Sequence, residues 1–367
     1  HLYNRKSMLS LLTLPDDILI AHILPYSTLS TLLHLLHVKP LHSLIRTSMA
    51  THQLFHVHSD AAWTVLPKTV AQIGALRRIL RLSPENHTTI VLLPPVADTA
   101  LLYSGYIPPV VIDYSGLLVL GQLQKKVKPP TMFTTTTATA SKTSKTTAPP
   151  PRVALYHNIH VTSGATHVAF QNLEVINTHN KQLRRDDDIV ATTTFQQAGI
   201  LVTDPHTSVT LTHCMVTNQP QATFEVPSTS SIEAHGLVVT NGATAHTTQC
   251  LFRDNGKSGV FVRDVGSVVT TMDCECRHNQ DYGMYVERGG AITMLGQSYI
   301  HHNQWYGLGC YGKQSVITIG SRHFKIEKNT NDSYGSKYGY VKGGGVIQLL
   351  CGEGGGGGGG GETGVIN

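Results

Sequence analysis

Glycine and asparagine recur at a fixed spacing of 24 residues within the segment 236–307 of this chain. The recurring residues are Gly259, Gly283 and Gly307 in one column, and Asn255, Asn279 and Asn303 in another. A fixed period of this length is typical of solenoids, in which each repeat buries its apolar face only against its neighbours. Each repeat is rich in β-branched residues and glycine and has no helical periodicity. The spacing therefore predicts a mainly β fold of stacked coils.

The pattern inside each repeat predicts which side chains point inward. The first and third residues after each repeating glycine are apolar, and a period of two places both on the same face of a strand. These pairs are Leu237 and Val239, Val260 and Val262, Met284 and Val286, and Leu308 and Cys310. Too few residues separate the strands for a crossover helix. The economical fold is a right-handed parallel β-helix with one coil per repeat.

The asparagine column comes just before a tight turn in each coil. Stacked side chains of Asn255, Asn279 and Asn303 would hydrogen-bond from coil to coil, and asparagine tolerates the left-handed backbone that such turns need. The sequence therefore predicts a structural asparagine ladder. The pattern resembles the pectate-lyase-like β-helix family of repeats. This resemblance concerns the fold, and a fold does not determine function.

Residues 12–46 lie before the repeats and carry apolar residues at three- and four-residue steps, which is typical of helices. Pro15 is a helix-start signal. The run around it resembles the F-box family, which opens with a Leu-Pro-acidic step and an Ile/Leu pair; the residues are Leu14, Pro15, Asp16, Asp17, Ile18 and Leu19. The family's usual serine before Lys39 is absent. The alternative interpretation is a helical cap over the end of the β-helix.

The F-box resemblance implies a partner and a way of binding it. An F-box docks on the adaptor subunit of a cullin-type ubiquitin ligase, and the residues that would contact it are Leu14, Pro15, Ile18 and Leu19. An F-box followed by a β-helix is similar to F-box-only proteins whose repeats bind the ligase substrate. The resemblance thus implies a non-catalytic substrate-recognition subunit with a protein substrate. The alternatives are a carbohydrate-active or carbohydrate-binding protein with a glycan ligand, and a purely structural solenoid.

The sequence carries no convincing catalytic constellation, which favours a protein that is not an enzyme. It has neither the Gly-His-Gly nor the Arg-Ile-Lys motif of β-helix hydrolases. The acidic cluster Asp186, Asp187 and Asp188 follows Arg184 and Arg185, and consecutive acids in a loop are usually a solvated charge run. Histidine is spread along the whole chain, so we expect no metal site. The sequence has neither a phosphate loop nor a dinucleotide-binding fingerprint, so we expect no other cofactor.

Long connections leave the same turn of the predicted coils at residues 178–198, 219–235 and 330–338. We expect them to form one wall along the solenoid, where a partner would bind. Outward positions beside this turn hold Phe261 and Tyr285, and aromatic residues dominate interface energies. Candidate partner-binding residues are Arg184, Arg185, Asp186, Asp187, Asp188, Phe261 and Tyr285. The alternative is that the two rings simply stack on each other as a surface ladder.

The chain divides into four predicted regions. Residues 1–66 form an F-box-like helical domain, 67–89 a helical linker or cap, and 90–350 the β-helix. Residues 122–152 are rich in Thr and Pro and are predicted to be a disordered insertion in the β-helix. Residues 351–367 form a Gly-rich tail.

Charge and cysteine content bear on partners and compartment. The formal net charge of +5 comes from scattered residues, which does not indicate nucleic-acid binding. No stretch approaches the ~18 apolar residues of a membrane span. The six cysteines include no CxxC pair, so we expect free thiols in a reducing compartment. The predicted location is cytoplasmic or nuclear, or secreted if a signal peptide lies upstream.

Overall fold

The structure of the chain is a computed structural model, and it describes residues 35, 41–51, 54–58, 62–93, 109–122, 153–177, 198–217, 234–321, 323–330, 339–350 and 365–366. The helices are α1 (His42–Thr51) and α2 (Ala62–Leu80). The strands, in chain order, are β1 (Leu54–His58), β2 (Thr88–Leu93), β3 (Val110–Ile112), β4 (Leu117–Gly121), β5 (Val153–Leu155), β6 (Ile159–Val161), β7 (Val168–Gln171), β8 (Leu173–Ile176), β9 (Ile200–Val202), β10 (Ser208–Thr212), β11 (Met215–Thr217), β12 (Leu237–Val239), β13 (Thr244–Thr248), β14 (Leu251–Arg253), β15 (Val260–Arg263), β16 (Val268–Met272), β17 (Glu275–Arg277), β18 (Met284–Glu287), β19 (Ala291–Leu295), β20 (Tyr299–His301), β21 (Leu308–Tyr311), β22 (Val316–Ile319), β23 (Lys325–Glu327), β24 (Gly339–Lys342), β25 (Val346–Leu349) and β26 (Val365–Ile366).

These strands form three sheets. Sheet 1 has the order β1-β2-β4-β7-β10-β13-β16-β19-β22-β25-β26, sheet 2 the order β3-β6-β9-β12-β15-β18-β21-β24, and sheet 3 the order β5-β8-β11-β14-β17-β20-β23. One coil passes from sheet 2 to sheet 1 and then to sheet 3, as β12, β13 and β14 do. Among the described strands, neighbours pair in parallel except for β25 with β26. The right-handed parallel β-helix predicted from the repeat is confirmed.

The coils are filled by the apolar side chains that alternate along each strand. Leu237 pairs with Val260, which pairs with Met284 in the next coil, and all three are fully buried. The core is continuous from Ile73 of α2 to Ile347 of β25. Burial of this apolar surface is the main force that holds the coils together. The described cysteines are free thiols inside the fold: Cys214, Cys250, Cys274, Cys276 and Cys310.

Buried asparagine side chains hold the turn between sheet 3 and sheet 2. The Nδ2 group of Asn255 donates to Oδ1 of Asn279 over 2.8 Å, and Asn279 donates in the same way to Asn303. Asn303 donates to Asn329, again over 2.8 Å. Each Oδ1 also accepts the backbone N–H of the preceding asparagine. Each of Asn279, Asn303 and Asn329 therefore links two coils, because its Oδ1 atom accepts both the side-chain and the backbone N–H of the asparagine one coil before it.

The left-handed backbone of this turn lies one residue earlier than the sequence predicts. The residues with positive φ are Asp254 (53°), His278 (54°), His302 (53°) and Lys328 (56°), and not the asparagines that follow them. The asparagines use their side chains for the ladder instead. The physical reason is that the ladder needs each amide to point inward, so the preceding residue supplies the change of chain direction.

The N-terminal region differs in detail from the predicted helical domain. Strand β1 pairs in parallel with β2, so sheet 1 begins with a strand that lies before α2 in the chain. A run of five residues is too short for its periodicity to distinguish strand from helix. The predicted boundaries after residues 66 and 89 fall within α2 and β2. No helix among the described residues is both long and apolar enough to span a membrane.

Candidate recognition site

The outer side of sheet 2 carries a second apolar cluster, separate from the main core. Val238 lies between the inward residues Leu237 and Val239, and it pairs with Leu201 on one side and Phe261 on the other. Phe261 in turn pairs with Tyr285. These outward residues form their own cluster together with Ala198. Alternation along the strand therefore gives sheet 2 an apolar outer face as well as an apolar inner face.

This outer column is more buried than the sequence predicts. Phe261 is only 4% exposed and Val238 is fully buried, whereas Tyr285 is half-buried. The sequence correctly predicts that Phe261 and Tyr285 lie side by side, and their rings stack at a centroid distance of 5.5 Å. Phe261 therefore packs beneath the surface and contacts Tyr285, and Tyr285 is the first residue of the column that solvent reaches. A direct contact between either residue and a partner stays a prediction.

A second column of rings completes this surface, and its members His235, Tyr282 and Tyr306 immediately precede Gly236, Gly283 and Gly307. His235 stacks on Phe261 at 4.6 Å between ring centroids, and Tyr282 stacks on Tyr285 at 4.7 Å. Tyr306, one coil further, is nearly parallel to Tyr282 at 6.2 Å. We call the whole set the aromatic face; it consists of His235, Phe261, Tyr282, Tyr285, Trp305, Tyr306 and Tyr340.

Gly309 makes room for these rings. It pairs with Tyr285 and so occupies the outward column. A Cβ atom at Gly309 would lie 2.6 Å from Cδ1 of Tyr282 and 2.7 Å from Cδ2 of Tyr285. Such distances are well inside van der Waals contact, so the rings of both tyrosines lie directly over the glycine backbone. The glycine is therefore a local requirement of the aromatic face.

Gly309→Ala is expected to displace both tyrosine rings and to destabilise the chain by about 1–3 kcal/mol, because overpacking forces side chains off their preferred rotamers. Urea unfolding and near-UV circular dichroism measure the two effects. The double variant Gly309→Ala with Tyr282→Ala is the control. Because it removes one of the clashing rings, it should lose less stability than the sum of the two single variants. Strict additivity would show that the rings do not depend on Gly309.

Asp281 places a carboxyl group at the edge of the aromatic face. The residue immediately precedes Tyr282, is half-buried, and its Oδ1 atom has no hydrogen-bond partner among the described residues. Burial raises the pKa of this carboxyl to about 6, and the nearby Lys257 ammonium opposes that shift. The backbone carbonyl of Asp281 accepts the N–H of Trp305 over 3.1 Å. This bond places the Asp281 backbone beside that of Trp305, whose side chain is 52% exposed. The Asp281 carboxylate itself lies near Tyr282 and Tyr285, since its charge helps to raise the pKa of both.

The neighbouring groups are neutral or already paired. Burial lowers the pKa of His235 to about 3, so its imidazole is neutral at physiological pH, and its Nδ1 accepts the N–H of Ser258. The Tyr285 hydroxyl donates to Glu287 over 3.2 Å, and Glu287 lies 3.3 Å from the Nε of Arg263. Among the described residues of this surface, the carboxyl group of Glu287 is paired, whereas the Oδ1 atom of Asp281 has no hydrogen-bond partner.

The other predicted site residues have different outcomes. Leu14, Pro15, Ile18 and Leu19 lie outside the described residues, and so do Arg184, Arg185, Asp186, Asp187 and Asp188. The structure adds five site residues that the sequence pattern did not predict: His235, Asp281, Tyr282, Trp305 and Tyr306. A signal was present, because Tyr282 and Tyr306 immediately precede Gly283 and Gly307 and are therefore one repeat apart in the sequence.

Three histidines lie close together on sheet 3 and in the turn that follows it. His278, His301 and His302 do approach one another, with ring centroids 4.8–6.3 Å apart. His301 Nε2 contacts Glu275 over 3.0 Å. Across the part of the chain that the structure describes, however, no group of three His, Cys, Asp or Glu side chains is arranged to hold a metal ion.

Comparison with known proteins supports the fold. The family model described as "Right handed beta helix region" matches residues 235–339. No curated protein and no solved structure matches the chain. The fold and the match define a protein that contains a right-handed β-helix region. The matched residues include most of the aromatic face and the whole of the ladder from Asn255 to Asn329.

Proposed function

We propose that this protein is a non-catalytic substrate-recognition subunit of a cullin-type ubiquitin ligase. The N-terminal region docks on the adaptor subunit, and the β-helix binds the target protein. The observation that carries the proposal is the aromatic face, a rigid row of rings on the outside of a solenoid whose N-terminal sequence resembles an F-box. Such ligases act in the cytoplasm or the nucleus, where this chain would work.

The aromatic face has the composition of a protein-binding surface. Tryptophan and tyrosine dominate the binding energy at interfaces because they bury large areas at a small loss of conformational freedom. Trp305 is exposed, and Tyr285 and Tyr306 are half-buried, so these rings combine access with support. Stacking against Tyr282 fixes their orientation before a partner arrives. A preorganised surface loses less entropy on binding.

Arg184, Arg185, Asp186, Asp187 and Asp188 belong to this proposal as a polar rim. They lie in the connection between β8 and β9, and Leu201 of β9 belongs to the outward cluster. Rim charges influence the rate of association and the choice of partner more than they add to affinity. Deleting residues 180–197 keeps the buried Ala198 and leaves three residues between Asn177 and Gly199, as between Asn255 and Gly259. This deletion is expected to weaken capture of a target protein without loss of adaptor binding.

Adaptor binding tests the ligase assignment. The full chain should retain purified cullin-adaptor protein in a pull-down at micromolar concentration, and Pro15→Ala with Ile18→Ala should abolish retention because apolar anchors supply most of the docking energy. A matched control is Trp305→Ala, which changes the other proposed surface and should leave adaptor binding unchanged. If the intact, folded chain retains no adaptor, the ligase assignment is wrong.

A second candidate function, glycan binding or glycan cleavage, is favoured by one observation. Asp281 has a raised pKa of about 6 and lies beside stacked aromatic rings, and a carboxyl group of this kind is suited to proton transfer. We propose nevertheless that the chain does not cleave polysaccharides. Incubation with pectate or polygalacturonate, with and without calcium, should produce neither new reducing ends nor unsaturated products. Turnover that Asp281→Ala or Asp187→Ala abolishes would favour the glycan alternative.

A further inference from the structure

Three rings meet in a corner at the end of the aromatic face. The planes of Tyr282 and Trp305 meet at 69°, with ring centroids 5.8 Å apart. Tyr306 lies at 6.2 Å from Tyr282 in a nearly parallel orientation. Trp305 is exposed and Tyr306 is half-buried, whereas Tyr282 is only 5% exposed, so solvent reaches the corner at Trp305 and Tyr306. The π face of each ring carries partial negative charge, which attracts a cation placed over it.

Asp281 adds a carboxylate on the Tyr282 side of this corner, since its charge acts on Tyr282 and Tyr285 and its backbone carbonyl accepts the N–H of Trp305. Its Oδ1 atom is out of contact with solvent and has no hydrogen-bond partner in the described residues. A buried carboxylate without a donor is unfavourable, and the arrival of a cationic donor relieves that cost. A neutral apolar ligand would instead remove the remaining solvent from the carboxyl group without any compensation. The chemistry of the corner therefore selects for positive charge.

We propose that this corner, lined by Asp281, Tyr282, Trp305 and Tyr306, binds a cationic side chain of the target protein. Its ligand class is a lysine or arginine side chain, or a quaternary ammonium such as a methylated lysine. The inference rests on the proposed function of the aromatic face in target binding, and it names the feature of the target that this face recognises. Charge complementarity supports this choice of occupant.

Lys257 is a cationic residue of the protein itself that lies near the Asp281 carboxylate. Its ammonium acts on Asp281, since it opposes the pKa shift that burial causes there. An incoming cation therefore shares the carboxylate with Lys257, and removal of Lys257 should strengthen binding. The two tyrosines on which the Asp281 charge acts stay neutral between pH 5 and 8, because burial raises the pKa values of Tyr282 and Tyr285 above their ordinary range. His235, on which Lys257 also acts, stays neutral because burial lowers its pKa to about 3. The carboxylate of Glu287 accepts the Tyr285 hydroxyl and is paired with Arg263.

The direct test uses choline chloride as the cationic probe and 3,3-dimethyl-1-butanol as its neutral counterpart of the same shape. Each is titrated into the full chain while tryptophan fluorescence is recorded, with sodium chloride added to match ionic strength. Choline should produce a saturable change, and the alcohol should bind at least tenfold more weakly. The signal should disappear in Trp305→Phe, which leaves Trp63 as the other tryptophan of the chain.

Charge variants separate a cation site from a merely apolar one. Asp281→Asn should weaken choline binding about tenfold, Lys257→Met should strengthen it, and the exposed Glu85→Gln should leave it unchanged as a matched control. In the unaltered chain, binding should weaken as pH falls through about 6, because protonation removes the carboxylate charge. Calorimetry with choline repeats these measurements without reliance on fluorescence.

Equal binding of choline and the neutral alcohol, or no saturable response in a chain with unchanged circular dichroism, would overturn the inference. The adaptor pull-down on the same preparation keeps this result apart from the ligase assignment. Retained adaptor binding without a choline response would reject the cation site alone. Loss of adaptor binding with a normal choline response would reject the ligase assignment and leave the cation site in place.

Discussion

Val262→Asp is expected to abolish cooperative folding of the β-helix. The side chain is fully buried and lies in one column with Val239 and Val286 of the neighbouring coils. A carboxylate at this position would have no partner and would be surrounded by apolar side chains. Uncompensated burial of a charge costs several kcal/mol, and a typical domain is stable by only about 5–15 kcal/mol. Val286→Asp should have the same effect.

Val265→Asp is the matched control for this prediction. Val265 belongs to the same coil but is 67% exposed, so an introduced aspartate stays hydrated there. Urea unfolding followed by circular dichroism should show a normal transition for Val265→Asp and no native baseline for Val262→Asp. Equal stability of the two variants would contradict the inward assignment of the column. That outcome would also remove the basis for placing Phe261 and Tyr285 on the outer side.

Asn279→Ala is expected to destabilise the chain by about 3–5 kcal/mol, because it leaves several buried polar groups without partners. Asn279 donates to Oδ1 of Asn303 and, over 3.3 Å, to the carbonyl of Phe252. Its own Oδ1 accepts two N–H groups of Asn255. Alanine therefore interrupts the ladder in its middle. The free energy of unfolding, measured in urea, checks the prediction.

The neighbouring Gln280→Ala is the control for the ladder variant. Gln280 is exposed, and the bond that its backbone N–H makes to Asn255 does not depend on its side chain. The change should cost less than about 0.5 kcal/mol, as is usual for surface substitutions. Asn279→Ala should also weaken choline binding, since the same turn leads directly to Asp281. A ladder variant as stable as Gln280→Ala would show that the asparagines are replaceable.

The inward columns of the coils could be predicted because their physical cause is local. Alternation places Leu237 and Val239 on one face whatever the rest of the chain does. The left-handed positions could not be predicted in this way. They fall on Asp254, His278 and His302, whose residue types are enriched in the left-handed region, but also on Lys328, whose type is not. The backbone strain there is imposed by the turn and is stabilised by the ladder that follows it.

The aromatic face was predicted only in part. The outward direction of Phe261 and Tyr285 follows from strand alternation. Their burial, in contrast, depends on the rings of His235 and Tyr282, which come from the preceding turn and stack on them. Tyr340 was missed for a different reason. The spacing of glycines aligns Gly339 with Gly307, but the observed register pairs Gly339 with Leu308.

This shift by one residue places Tyr340 opposite Gly309, on the outer side of sheet 2. Its ring then stacks on Tyr306 at 5.5 Å between centroids. A register is set by hydrogen bonds between coils, and a slip of one residue moves every side chain to the other face. Likewise, the raised pKa of Asp281 arises from burial by its surroundings, which the sequence around it does not reveal.

The central claim is that one chain links a ligase adaptor to a target held on the aromatic face. Protein half-lives, measured by pulse-labelling and quantitative mass spectrometry in cells of the source organism, test it most directly. Three forms would be compared: the unaltered chain, Pro15→Ala with Ile18→Ala, and Trp305→Ala with Tyr306→Ala. The two variants should lengthen the half-lives of the same set of proteins. Two sets without overlap, or no change in either variant at normal levels of folded protein, would contradict the claim.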